Sequence, residues 1–192
     1  MGRAGRSARP ARGRAGGCTR SCLRFSEING LQVGDIDLKK RRISVVRAWT
    51  QDETGVWHLG EPKYGKRRTV PVPAFLVLVL EAQMEEKADG ARLIKRRNGS
   101  DKPLPYPGKA NGWGEASWLE RGLEDANIAR LTVHDLRHTA ASLAVQVGAN
   151  VKALSRMLGH ADASMTLNVY ADLFDSDLDD VAARLDDAFG RA

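Results

Sequence analysis

Every Ile, Leu, Val, Phe, Tyr and Trp in this chain lies beyond Cys22. Folding is driven by burying apolar surface, so residues 1–22 have almost nothing to contribute to a core and are expected to be disordered. Gly, Ala and Arg make up 15 of those 22 residues, and Arg3, Arg6, Arg9, Arg12, Arg14 and Arg20 meet no acid. Such a segment reads as a basic arm attracted to phosphates or as an organelle-type leader. It is also what GC-rich DNA yields in a wrong frame, which would make the chain an amino-truncated or frameshifted copy. Cys18 and Cys22 are too few for a disulfide framework and read as free thiols, in keeping with a reducing cytoplasm.

Residues 23–192 are then long enough to bury one real core and leave little room for a second domain. They hold 24 basic and 24 acidic side chains, so the surplus charge of the whole chain resides in the arm. The signs are still segregated. Lys39 to Arg42, Lys63 to Arg68 and Arg92 to Arg97 are basic clusters, whereas Asp172 to Asp187 sets seven Asp against Arg184. A surface basic at one side and acidic at one end suits a polyanion docked on one face. The longest apolar stretch, Ala74 to Leu80, is far shorter than the roughly 18 residues a membrane span needs.

The pattern beyond Cys22 predicts an α+β, mostly helical fold around a small three-stranded antiparallel sheet. Ser26 to Leu31 reads as a short helix, and Arg42 to Trp49 as a strand with Ile43, Val45 and Trp49 on one side. Val56 to Leu59 and Arg67 to Val72 read as two strands around a Tyr64–Gly65 turn. A helix follows Pro73 over Ala74 to Lys87, Asn98 to Gly114 is an internal loop, and Trp113 to Asn127 is helical in pattern. Thr132 and Asp135 form an S/T-x-x-D capping box, which starts a helix whose expected buried face is Leu136, Ala140, Leu143 and Val147. Two short helices, Val151 to Leu158 and about Ser164 to Phe174, are set off by Gly148 and Gly159.

Several of these residues could carry chemistry. His134 and Arg137 lie in the first turns of the capped helix, where unpaired N–H groups, a positive dipole end and a guanidinium fork suit a phosphate. The alternative is an Arg137 paired with an acid beside an idle His134. The same residues spell H-D-x-x-H, but Arg137 between the two imidazoles opposes a dication, and Asp is shorter than the base a zinc-protease motif requires. His160 follows the Gly159 stop, where a chain reversal can aim it back toward His134. Tyr170, between Leu167 and Phe174, also fits a plain core position.

Together these segments resemble the tyrosine recombinase (phage integrase) family, from Leu23 to about Phe189. The carriers are Leu23-Arg24-Phe25-Ser26-Glu27, the hairpin Pro62 to Pro71, His134-Asp135-Leu136-Arg137-His138-Thr139, Leu158-Gly159-His160, and Tyr170. The resemblance implies the catalytic-domain fold of that family over residues 23–192 and a site-specific DNA recombinase working through a 3′-phosphotyrosyl intermediate. Arg24 and Arg137 would bind the non-bridging oxygens of the scissile phosphate, and His160 would add a hydrogen bond. Tyr170 would be the nucleophile and His134 its general base. Lys63, with Lys66 as second choice, would protonate the leaving 5′-oxygen. Neither a metal nor a nucleotide cofactor is implied, and the expected partners are double-stranded DNA and further copies of the chain, as a tetramer on DNA. No membrane and no small-molecule substrate enters, and the expected location is the bacterial cytoplasm, on the nucleoid.

Two positions depart from the family pattern. The residue before the Leu of the first motif is typically Gly and is Cys22 here, and His often stands two places after the Tyr, where this chain has Asp172. Relatives usually carry a separate amino-terminal DNA-binding domain that is not in this chain, which implies weak, poorly specific DNA binding by residues 23–192 alone. The rival readings are a catalytically inactive remnant that only binds DNA or an intact recombinase, and a helix-turn-helix regulator using Lys152 and Arg156. The acidic tail, with Leu178, Val181, Leu185 and Phe189 at helical spacing, suits docking on a neighbouring protomer or packing on its own domain.

Overall fold

A computed structural model of the chain describes residues 22–96, 98–107, 118–174 and 178–190. The expected disorder of the Arg-rich arm falls on residues 1–22, all but Cys22 outside that range. Two hydrophobic clusters of the core meet at the start of the described chain. Leu23 belongs to a cluster with Ile28, Ile43, Val45, Val70 and Leu80, whereas its neighbour Cys22 belongs to one with Ala141, Val145, Leu154, Leu158 and Tyr170. Arg24, next along, therefore emerges at the seam between a sheet-based layer and a helical layer.

The first layer holds α1 (Phe25–Gly30), β1 (Ile36–Asp37), β2 (Arg42–Val45), β3 (Ala48–Gln51), β4 (Trp57–Gly60), β5 (Arg68–Pro71) and α2 (Ala74–Met84). The expected antiparallel three-stranded sheet is present, in the order β1-β2-β5, with Ile43 opposite Ile36 and Val70, and Val45 opposite Arg68. Its composition differs from the sequence reading in two ways. The strand expected over Arg42 to Trp49 breaks at Val46 and Arg47, and its second half pairs with β4 as a separate two-stranded hairpin. The turn between Pro62 and Pro71 accordingly joins two sheets rather than two strands of one hairpin. The break is held from both sides. Arg47 Nη1 donates to Asp35 Oδ2 at 2.6 Å, and α1 comes so close that a Cβ on Gly30 would sit 3.0 Å from the Arg47 carbonyl oxygen.

The helical layer holds α3 (Trp118–Asp125), α4 (Val133–Gln146), α5 (Val151–Leu158), α6 (Ala163–Phe174) and α7 (Leu178–Phe189). The capping box is formed as read: Thr132 Oγ1 accepts from the Asp135 N–H at 3.1 Å, and Asp135 Oδ2 accepts from the Thr132 N–H at 2.8 Å. The buried face of α4 is only partly the expected one: Leu136 and Ala140 are half-buried and pack against the hydrophobic clusters, but they flank the buried stripe. Val133, Arg137, Ala141 and Val145 point inward, while Leu143 is 55% and Val147 84% exposed. Arg137 reaches two backbone carbonyls in the interior, and that turns its stripe of the helix inward at the expense of the larger aliphatic side chains. Helix α5 keeps its read boundaries and ends on Gly159 in the left-handed region (φ 64°). On α7, Leu185 and Phe189 are exposed. Among the described residues no helix is long and apolar enough to cross a membrane.

Candidate active site

One buried carboxylate organises the site. Glu27, fully shielded in the first turn of α1, accepts from Arg68 through both oxygens, Nη1 to Oε1 at 2.8 Å and Nη2 to Oε2 at 2.7 Å. Arg24 Nη1 donates to the same Oε1 at 3.0 Å. Burial works to raise the Glu27 pKa, but the Arg68 hydrogen bonds and charge, with help from Arg24, outweigh it and hold the carboxyl below its ordinary range. The two guanidiniums are pinned at their other ends by the close of α5: Arg68 Nε donates to the Met157 carbonyl at 2.9 Å and Arg24 Nη2 to the Gly159 carbonyl at 2.8 Å. Gly159 has to be glycine. Besides its positive φ, a Cβ there would lie 2.8 Å from Arg68 Nη1 and 3.1 Å from Arg24 Nη1.

Arg137 enters the same seam from α4. Its Nη1 donates to the Cys22 carbonyl, and its Nη2 to the Leu158 carbonyl at 2.6 Å. Neither acceptor is charged, so burial, together with the nearby Arg24 charge, brings its pKa down to about 10, still protonated at neutral pH. A guanidinium has five N–H groups, so donors remain for another acceptor. Arg24, Arg68 and Arg137 thus surround a single carboxylate, an arrangement that favours an added anion. Cys22 explains the glycine usual at its place: its φ is 62°, a conformation that costs a side chain about 1–3 kcal/mol. Its thiol packs among Ala141, Leu154 and Tyr170, which offsets part of that cost.

Tyr170 lies in the interior at 5% exposure, where α6 departs from helical geometry (φ −123°, ψ 18°). Burial pushes its pKa up, with Arg137 pulling the other way. Its hydroxyl is 2.9 Å from His138 Nδ1, and His138 Nε2 is 2.8 Å from Nε2 of the exposed His134. His160 Nδ1 is 2.9 Å from the Oγ1 of Thr166, which is fully buried on α6. Burial, then the charges of Arg137, Arg24 and Arg68, push His160 down to about 4. It is therefore neutral at pH 7, and in the tautomer that accepts from Thr166 at Nδ1 an Nε2–H is left to donate.

That shift predicts a pH dependence. Below the ordinary value of 6.5 the unfolded chain takes up a proton at His160 that the folded chain refuses until about 4, so stability falls as pH drops through that window. Thermal melts should show Tm declining over this range, and His160→Gln should flatten the decline; an equally steep decline in the variant would remove His160 as its cause.

Lys63 sits in a 3₁₀ turn, Lys63–Gly65, with Nζ 5.1 Å from the ring centre of Tyr64, which takes a φ of 66°. Lys66, the second choice for the same role, instead donates to the Ala161 carbonyl at 2.8 Å and ties the turn to the segment after His160. Arg24, Lys63, His134, Arg137, His160 and Tyr170 all line one cavity of about 600 Å³. Four further residues that the sequence does not single out lie among these six in the structure. In the sequence Glu27 is one letter of a motif, Arg68 one charge in a basic cluster, His138 the second imidazole of H-D-x-x-H, and Thr166 carries no mark. Only His138 carried a signal, its i, i+4 relation to His134. Among the described residues no cluster of His, Cys, Asp and Glu is built to hold a metal ion. The side chain of Asp172, the second departure, lies outside the description.

The chain matches the Phage integrase family over residues 17–177. It is 28% identical over 185 residues to a tyrosine recombinase XerC-like protein of Caldanaerobacter subterraneus subsp. tengcongensis, covering 87% of this chain and 46% of that protein. It is 30% identical over 147 residues to tyrosine recombinase XerA of Thermococcus onnurineus, covering 75% of this chain and 44% of the relative. The chain thus spans less than half the length of these relatives. Its fold is that of the Tn1549 transposon integrase in complex with transposon right end DNA, with a TM-score of 0.68 at 24% identity over 88% of this chain and 58% of the other.

Proposed function

The chain belongs to the phage integrase family, and on that premise we propose that its cavity breaks and rejoins double-stranded DNA through a 3′-phosphotyrosyl intermediate. The observation that carries this reading is the convergence of a buried tyrosine hydroxyl with surplus guanidinium charge in one cavity. Phosphoryl transfer asks a protein chiefly for positioning and for stabilising charge spread over the equatorial oxygens. Arg24 and Arg137, held from behind by carbonyls and by Glu27, are preorganised to do that without rearranging during reaction. Neutral His160 adds an Nε2–H donor to the same phosphate. Tyr170 attacks phosphorus, and the bond energy is kept in the phosphotyrosyl link, so a second strand's 5′-hydroxyl can reverse the step. The basic clusters supply sequence-independent attraction to the duplex, and strand exchange between two duplexes calls for several copies, a tetramer on DNA, in the nucleoid.

Lys63 is the proton donor to the leaving 5′-oxygen. Its removal in Lys63→Ala should slow cleavage by about 10²–10⁴-fold. A duplex whose scissile 5′-oxygen is replaced by sulfur leaves as a thiolate and needs no acid, so it should restore the variant to near the wild-type rate. Failure of sulfur to rescue would take Lys63 out of this role.

The activity itself is tested with nicked suicide duplexes of randomised sequence on a denaturing gel. The wild type should shift into a covalent protein–DNA band that Tyr170→Phe does not form; a band that survives in the variant contradicts the nucleophile. Retention of DNA with no covalent band at all would favour the binding-only reading instead.

A further inference from the structure

The resemblance gives the base to His134, but the residue against the nucleophile is His138. We propose that His138 takes the Tyr170 proton and passes its own Nε2 proton to His134, a two-imidazole relay from the buried hydroxyl to solvent. This rests on the phosphotyrosyl reading and adds a catalytic residue to it. The geometry is direct. Tyr170 Oη and His138 Nδ1 are 2.9 Å apart, the two Nε2 atoms are 2.8 Å apart, and the imidazole rings meet edge to face at 4.4 Å between centres. His138 is half-buried and His134 exposed, so the second ring is the one more open to unload a proton to water.

The proton count closes. The Tyr170 O–H breaks as His138 Nδ1–H forms, and His138 Nε2–H breaks as His134 Nε2–H forms. His138 ends neutral and His134 becomes the imidazolium, which returns its extra proton to solvent. The phenolate oxygen bonds to phosphorus as the bond to the 5′-oxygen breaks, and that oxygen takes its electron pair away with a proton from Lys63.

A relay requires His138 to start neutral. It faces His134, Asp135 and Arg137 on its own helix, Tyr170 from α6 and His160 from the turn before α6. Burial, then His134 and Arg137, lower its pKa, and Asp135 opposes them without prevailing. The relay also fixes the tautomers: Nδ1 of His138 must be bare and its Nε2 protonated. The reverse chain, with His138 Nδ1–H donating to Tyr170, could accept no proton from it.

Two measurements on the full chain test this. In adduct formation on suicide duplexes between pH 5.5 and 9, His138→Gln can still accept from Tyr170 but cannot pass a proton on. It should be about 10²-fold or more slower at neutral pH, with a rate that keeps rising with pH where the wild type levels off. His134→Gln should lose less, and free imidazole should partly restore His138→Gly. The second measurement is the ¹⁵N-histidine spectrum of the DNA-free chain, with His138 assigned by its loss in His138→Gln; the Nε2–H form is expected. A His138→Gln variant within about twofold of wild type and with the same pH profile, or a His138 in the Nδ1–H form, overturns the relay and leaves the phosphotyrosyl reading standing. No adduct from wild type overturns that reading, and the relay with it.

Discussion

Arg137→Ala is expected to lower the rate of covalent capture by about 10³–10⁵-fold, the range an arginine contributes when it neutralises charge in phosphoryl transfer. The size follows from how the side chain is held. Its contacts with the Cys22 and Leu158 carbonyls satisfy part of the fork and aim the rest into the cavity, so little reorganisation remains when charge develops on the phosphate. Arg137→Lys keeps a charge but cannot span two carbonyls and an oxyanion together, so it should fall between wild type and Ala. Single-turnover capture at saturating DNA separates this from weaker binding. An Arg137→Ala rate within about tenfold of wild type would be too small a loss for transition-state stabilisation.

Glu27→Ala should have the largest effect on the fold, a loss of about 3–5 kcal/mol in urea unfolding, because removing one partner of a buried ion pair leaves the other charge uncompensated. The stranded partner is Arg68, 8% exposed and fixed to the Met157 carbonyl. The double change Glu27→Leu with Arg68→Met removes both charges and should recover much of that stability. It should not recover capture, because Arg24 loses the carboxylate that orients it. Recovery of both properties would mean that Glu27 serves the fold alone, and a Glu27→Ala loss under about 1 kcal/mol would mean that water reaches the pair.

Much of this arrangement is legible in the sequence, and the rest is hidden for identifiable reasons. Helix α5 is readable from local marks, Gly148 before its start and Gly159 closing it, and the structure adds an Asn150 cap. The capping box of α4 is equally local. Its buried face is not, because periodicity ranks Leu143 and Val147 above Arg137, and nothing local announces that an arginine will find carbonyls 115 and 21 residues away. Strand pairing is missed for a like reason. The Tyr64–Gly65 turn is visible, but whether β4 and β5 pair depends on β3, which is split from β2 by α1 lying against Arg47. Among the site residues, Arg24, Lys63, His134, Arg137, His160 and Tyr170 come from the family resemblance and converge on one cavity. Glu27 and Arg68, 41 residues apart, work as a unit only in three dimensions. Thr166 matters only because His160 turns toward it.

The proposed chemistry leaves Tyr170 covalently attached to a DNA 3′-phosphate. The most direct measurement is to trap the chain on duplexes with a sulfur-substituted 5′ leaving group, digest protein and DNA, and locate the modified peptide by mass spectrometry. A nucleotide 3′-phosphate is expected on the peptide containing Tyr170. The same mass on a peptide containing Tyr64 or Tyr106, or on a serine, would contradict it, as would DNA that is retained yet leaves every peptide unmodified.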